Sequence, residues 1–452
     1  MRRALESELK KWKNAPERYP LLLRGARQVG KSYLIERLGE SFESFEMINF
    51  EAQPEAIACF ETVKPIEIIQ KLELVTKRPI RAKKTLLFLD EIQICPNAIV
   101  ALRYFKEQMP DLHVVGAGSL LEFALAEGKF SFPVGRVQFI YLYPLSFQEF
   151  LLALEGEESL AALELCTLNA PPSPSRHSEL IHVAREYFLV GGMPAVVNHF
   201  KDNRSFLEQS RIQDLLLATF RADFGKYATE AEQKYLRILF DKIPYQIGGQ
   251  FKYSAIDPHI KSRELKNGLE QLQMAGLIHS ITATSASGIP LAAQIKAHKF
   301  KMLFLDTGLV QRSLQVDPEQ MMSNPLTQIH RGALAEQFVG QELLAYGDCF
   351  RQNNLYFWER EQHSSSAEVD YIITIGQSII PIEVKAGAQG HLKSLRQFMQ
   401  EKKSEIGIRI SEQPLSFKDQ ILSVPFYMLA EIPRLVHEIL SQKKNNRGIQ
   451  GD

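Results

Sequence analysis

Eight residues constrain this chain more than any others: Gly25-Ala26-Arg27-Gln28-Val29-Gly30-Lys31-Ser32. They fit the pattern G-x-x-x-x-G-K-S/T. The compact apolar run Tyr19-Pro-Leu-Leu-Leu-Arg24 precedes them, and a helix-like stretch from Lys31 to Leu38 follows. Strand, glycine-rich loop and helix form the context in which such a loop binds phosphate. The glycines let the backbone curl so that its N–H groups point at phosphate oxygens. The helix N-terminus adds positive potential at the same spot. Lys31 is expected at the β- and γ-phosphates of ATP and the Ser32 hydroxyl on Mg²⁺. The loop from Gly25 to Tyr33 is expected to wrap the nucleotide. A chance match is expected only about 0.02 times in a chain of this length.

Four more strand candidates follow: Ser44–Glu51, Lys84–Asp90, Leu112–Gly116 and Val137–Leu142. Helical stretches separate them, which predicts a parallel sheet covered on both faces. The third strand ends in Asp90-Glu91. Asp90 is placed to join the Mg²⁺ shell and Glu91 to polarise the attacking water. The fourth strand runs into Gly116-Ala-Gly118-Ser119. Ser119 is read either as a γ-phosphate or water contact or as a helix N-cap before Leu120. Arg136, just before the fifth strand, is read either as an arginine finger, in cis or from a neighbouring copy, or as a plain surface residue. A finger supplied by a neighbouring copy would imply a homo-oligomer.

A chain of 452 residues exceeds one hydrophobic core, so two to four domains are expected. Lys+Arg and Asp+Glu are both 53, so any nucleic-acid contact must come from a local patch. Cys59, Cys95, Cys166 and Cys349 are scattered, which fits a reducing compartment and gives no zinc spacing. No apolar signal core or membrane-spanning run is found, and the expected location is the cytoplasm.

Beyond residue 150 the chain reads as helical, with a linker at Ala170-Pro-Pro-Ser-Pro-Ser-Arg176 and a turn at Gly191-Gly192-Met193-Pro194. Helices followed by strand-like runs at Leu277–Thr284 and Lys299–Leu305 outline a winged helix. Its candidate recognition helix opens with the basic run Lys261-Ser-Arg-Glu-Leu-Lys266, read as a DNA contact or a solvated face. Asp223 and Arg221 receive no role from the sequence.

Near the C-terminus, Glu368-Val-Asp370 is followed by Glu383-Val-Lys385. Asp370 and Glu383 on adjacent strands suit a divalent ion, Mg²⁺ or Mn²⁺. Lys385, two residues on, points to the same side and suits a nucleophilic water. Glu336, on a preceding helix, completes the proposed shell. Three clustered carboxylates without a cation would repel and raise their pKa values, so the arrangement makes sense mainly with a metal. Alternating charge on a surface strand gives the same pattern without any metal.

Taken together, these segments resemble the bacterial and archaeal AAA-type P-loop ATPases that carry a DUF4143 C-terminal region. The resemblance rests on residues 22–32, Asn49-Phe-Glu51, Phe88–Gln93, Gly116–Ser119, Gly135-Arg136, Pro144–Phe150, Gly191–Pro194, Phe300–Leu309 and Ile382–Lys385. It implies an α/β chain with an AAA-type ATPase core (1–150), a helical lid and linker (151–205) and a winged-helix-like domain (206–315). A PD-(D/E)xK nuclease-like domain (325–440) and a disordered tail (441–452) complete the expected layout. Three functions compete: ATP hydrolysis by a machine acting on DNA, with a nuclease-like module; an ATP-dependent binding switch that cuts nothing; and a defence or toxin-like system in which nucleotide state licenses the nuclease.

Overall fold

The computed structural model describes residues 1–128, 135–316, 318–323, 329–360, 367–386 and 392–448. Among these, five strands form the first sheet: β1 (Leu21–Arg24), β2 (Ser44–Asn49), β3 (Thr85–Asp90), β4 (His113–Ala117) and β5 (Gln138–Tyr141). Their order is β2-β3-β4-β1-β5 and every pairing is parallel.

The sheet is parallel because both of its faces are covered. Leu21, Leu23, Leu86, Phe88, Val115 and Ala117 project into one core, shared with helices Leu5–Asn14 and Lys31–Gly39. Their sequence neighbours Leu22, Leu87, Leu89 and Val114 project into the other, under helices Pro65–Thr76 and Pro96–Gln108. The period-two alternation of strand side chains thus divides one apolar run between two cores. Parallel strands also open their C-terminal ends along the same edge. That edge brings together Gly25, Asp90 with Glu91, and Gly118 with Ser119.

Helices Pro174–Val190, Pro194–Asn203, Phe206–Asp223, Glu230–Lys242 and Ser262–Met274 build the middle of the chain. They lead into an antiparallel pair, β6 (Ile278–Thr284) and β7 (Ile295–Phe304). The pair does not stand apart, however. The other edge of β6 pairs in parallel with β8 (Leu355–Glu359), Ile281 against Leu355 and Ala283 against Phe357. The sheet then continues through β9 (Glu368–Ile375), β10 (Ser378–Val384), β11 (Gly407–Ser411), β12 (Ser416–Lys418) and β13 (Ile421–Pro425). Among the described residues it has eight strands, in the order β12-β13-β11-β10-β9-β8-β6-β7. The hairpin therefore shares a sheet with the C-terminal segment, because an open edge of β6 would leave its backbone groups unpaired.

The last helix, Ile432–Gly448, reaches into the stretch expected as a disordered tail; residues 449–452 lie outside the described ones. Ile432, Leu435, Val436 and Ile439 are buried at helical spacing and anchor it. No helix among the described residues is long and apolar enough to cross a membrane.

The Gly191-Gly192 turn is a junction. The Gly192 N–H donates to Asp306 Oδ2 at 2.6 Å, and Asp306 Oδ1 accepts from the Leu309 N–H at the start of helix Thr307–Ser313. A Cβ on Gly192 would lie 2.1 Å from Leu145 O, and one on Gly191, whose φ is +73°, would lie 2.0 Å from Asp306 Oδ1. We predict that Gly192→Ala lowers stability by about 1–3 kcal/mol, as overpacking does. Thermal or urea unfolding checks this, and an unchanged midpoint contradicts it.

Candidate functional site

Between β1 and helix Lys31–Gly39 the loop turns through three left-handed residues, Gly25 (φ +146°), Gln28 (φ +65°) and Gly30 (φ +94°). Gly25 admits no side chain, since a Cβ would lie 2.2 Å from Leu142 O. Lys31 is buried, and its ammonium donates to Gly25 O at 3.0 Å and Ala26 O at 2.8 Å. Burial depresses its pKa to about 8 against the pull of Glu91 and Asp90. The ammonium thus lies inside its own loop, where a phosphate oxygen would compete for its protons. Tyr33, one turn into the helix, is exposed, and its hydroxyl accepts from the Met1 amine at 2.8 Å.

Ser32 Oγ donates to Asp90 Oδ2 at 3.0 Å, and Asn49 Nδ2 donates to the same oxygen at 3.1 Å. Burial raises the Asp90 pKa, and the hydrogen bond from Ser32 opposes it. A hydroxyl and a carboxylate this close, at the mouth of a phosphate-type loop, form an oxygen donor set that fits Mg²⁺. Asn49 fixes the carboxylate from the neighbouring strand β2.

Glu91 sits at φ +49°, a conformation rare for a side-chain-bearing residue and enriched where function fixes the backbone. Its Oε2 accepts from Gln93 Nε2 at 2.6 Å and from Ser119 Oγ at 3.3 Å. Ser119 is therefore drawn to Glu91. The cap of helix Leu121–Glu127 falls instead at Leu120, with no side-chain cap bond. Gly118 gives Gln93 its room, since a Cβ there would lie 1.9 Å from Gln93 Oε1. A cavity of 350 Å³ opens beside these groups, lined among others by Arg27, Glu91, Gln93, Ser119 and Lys226.

Arg136 lies elsewhere. It is half exposed and pairs with Glu107 at 3.1 Å, away from that cavity. Within one chain the structure brings together Lys31, Ser32, Asp90, Glu91 and Ser119, but not Arg136.

Residues that the sequence did not single out hold the loop. Arg3, 6% exposed, donates to Val29 O at 2.9 Å, to Tyr143 O at 2.7 Å and to Glu149 at 2.9 Å. Arg27 forms an ion pair with Asp223 at the end of helix Phe206–Asp223, which gives that aspartate a partner. Lys226 pairs with Glu51 at 3.4 Å, and Tyr227 stacks on Phe123 with ring centroids 4.4 Å apart. Gly276 packs on Ala26, where a Cβ would come within 3.3 Å. The middle segment thus touches the loop at two points.

The C-terminal candidates also gather, but around an unexpected partner. Helix Ile329–Ala345 carries Glu336, β9 carries Glu368 and Asp370, and β10 leads through Glu383 to Lys385. Lys385 Nζ bonds Glu383 Oε1 at 2.5 Å, and the Val384 N–H donates to Asp370 Oδ2 at 2.8 Å. Lys301 of β7 enters between the carboxylates, 3.2 Å from Glu336 and 2.5 Å from Glu368. Burial works against its charge, but Glu336, Asp370 and Glu368 together outweigh it and raise its pKa. Burial and then Asp370 raise the pKa values of Glu336 and Glu383. Among the described residues no group of three or more His, Cys, Asp or Glu is arranged to hold a metal ion. In this arrangement Lys301 stands among Glu336, Glu368 and Asp370, and Lys385 pairs with Glu383. Lys301 follows Lys296, His298 and Lys299 in the same strand, so no distinct signal in the sequence marks it.

Loop, acidic pair and strand order define a P-loop nucleotide-binding fold. The family comparisons agree. The AAA domain profile matches residues 17–151, that of a domain of unknown function, DUF8612, residues 181–320, and that of the DUF4143 domain residues 331–428. The chain thus carries an AAA domain and, further on, a DUF4143 domain. No curated protein matches it in sequence. Similar solved structures include the Walker-type ATPase PABY2304 of Pyrococcus abyssi, 18% identical over 69% of this chain and 95% of that one, with a TM-score of 0.44. The Orc1 protein of Aeropyrum pernix in complex with DNA is 14% identical over 70% of this chain and 94% of that one, with a TM-score of 0.31. The Hsp104–ADP complex of S. cerevisiae is 15% identical over 61% and 39%, with a TM-score of 0.28.

We predict that Glu91→Gln binds ATP with unchanged affinity and hydrolyses it at least ~100-fold more slowly, the scale of a lost general base. Paired binding and phosphate-release assays check this. Parental turnover would remove Glu91 from the mechanism.

Proposed function

We propose that this protein hydrolyses ATP at the loop Gly25–Tyr33 in a Mg²⁺-dependent reaction. The observation that carries the reading is the 3.0 Å contact of Ser32 with Asp90 beside Glu91 and Ser119. Ser32 and Asp90 would hold the Mg²⁺, which supplies positive charge against the β- and γ-phosphates. The loop N–H groups and Lys31 bind and orient the phosphates. Glu91 takes the proton of the attacking water, and Ser119 and Gln93 hold the Glu91 carboxylate in place. Arg27 and Lys226 put two cations on the cavity wall, where charge develops on the leaving phosphate.

Of the competing roles, the regulatory switch is favoured by the ion pair of Arg27 with Asp223. It ties the phosphate loop to the middle segment, so nucleotide entry can be felt there. Action on DNA rests on the exposed Lys261, Arg263 and Lys266 at the start of helix Ser262–Met274. DNA-stimulated ATP turnover, lost when these three become alanine, is the outcome that reading requires. An arginine-finger role for Arg136 would need a second copy of the chain. The four free cysteines fit a reducing cytoplasm.

Phosphate release from ATP tests the central reading. Wild-type protein should turn over ATP with Mg²⁺, stop in EDTA and lose at least ~100-fold in rate as Lys31→Ala. Normal turnover by Lys31→Ala would overturn it.

A further inference from the structure

The cation in the C-terminal carboxylate cluster is a side chain. Lys301 lies on β7, paired across the hairpin with Ile281, and is 1% exposed. Its Nζ lies 2.5 Å from Glu368 Oε1, 3.2 Å from Glu336 Oε2 and 3.7 Å from Asp370 Oδ1. It also lies 5.4 Å from the centre of the Phe357 ring, whose face attracts a cation. A lysine enters such burial only with compensating charge, and here three carboxylates from two elements supply it.

A divalent ion needs carboxylate oxygens at about 2.0–2.6 Å and six or more ligands in all. The ammonium occupies the space between Glu336 and Glu368 and lies 3.7 Å from Asp370 Oδ1, too close for a divalent ion to share that space. Two cations would repel strongly there, because a buried pair is poorly screened. Glu383 offers one buried oxygen, Oε2, without a hydrogen-bond partner among the described residues, and one oxygen does not make a site.

We propose that Lys301 is the resident cation of this cluster, standing where a divalent metal would otherwise bind, so that the C-terminal module does not cleave phosphodiesters by a metal-dependent route. The cluster is instead a lock. Its cation comes from the hairpin that follows the middle helices, and its carboxylates come from helix Ile329–Ala345 and β9. It fastens the hairpin to the C-terminal segment at the point where one sheet joins them. This inference does not depend on ATP hydrolysis at the phosphate loop.

Manganese binding to the full chain tests it, followed by the paramagnetic resonance signal of free Mn²⁺. An Asp90→Asn background removes the carboxylate of the first site. With Lys301 present, no binding that depends on Glu336 or Asp370 should appear. Lys301→Met should bind Mn²⁺ at least ~10-fold more tightly, and adding Asp370→Asn should abolish that gain. Mn²⁺ binding with Lys301 intact that disappears in Glu336→Gln would overturn the proposal, as would a folded Lys301→Met protein that gains none. Plasmid cleavage with Mg²⁺ or Mn²⁺ gives a second test that needs no Lys301 variant. The proposal expects wild type and Lys385→Ala to be equally inactive, and cleavage that requires Lys385 contradicts it.

Discussion

A buried guanidinium holds the nucleotide loop in shape. Arg3 reaches from just before the first helix to the carbonyls of Val29 and Tyr143 and to the Glu149 carboxylate. Glu149 in turn closes a capping box with Ser146 at the start of helix Phe147–Glu155. One side chain therefore fixes the phosphate loop, the segment after β5 and the first helix beyond the core. Removing it would leave Glu149 buried without its cation, a loss on the order of 3–5 kcal/mol. The curl of Gly25, Gln28 and Gly30 can persist because its carbonyls have partners, both Arg3 and Lys31.

The same principle, a buried charge retained because it is fully answered, governs the other end of the chain. Lys301 stands among carboxylates as Arg3 stands among carbonyls. Both join segments far apart in sequence, and both are silent in a motif search. Between them lies the middle segment, which meets the loop through Asp223 and Gly276 and meets the cluster through β7. Gly276 is only two residues from the start of β6. One hairpin thus has one end against the nucleotide loop and its second strand in the carboxylate cluster.

The first sheet was legible because local signals carried it. β1, β3 and β4 were largely apolar runs bounded by turn residues, and the glycine-rich loop Gly25–Ser32 is contiguous in sequence. That Lys31, Ser32, Asp90 and Glu91 lie side by side was readable for that reason. Ser119 was left between two roles, since only its distance to Glu91 separates them. The merging of β6 with β8 was not legible, because pairing across 70-odd intervening residues leaves no local trace. Asp223 and Lys301 were unreadable as partners for the same reason: their meaning lies in what faces them. The tail misled because its polar composition hides a helix anchored upstream by Leu435, Val436 and Ile439.

The most direct test of the account is amide hydrogen exchange on Glu91→Gln protein, with and without ATP and Mg²⁺. If the loop is the junction described here, nucleotide should slow exchange in residues 25–32 and also around Asp223–Tyr227 and Gly276. Protection confined to the loop, with the other two segments unchanged, would contradict the claim that the middle of the chain senses the nucleotide.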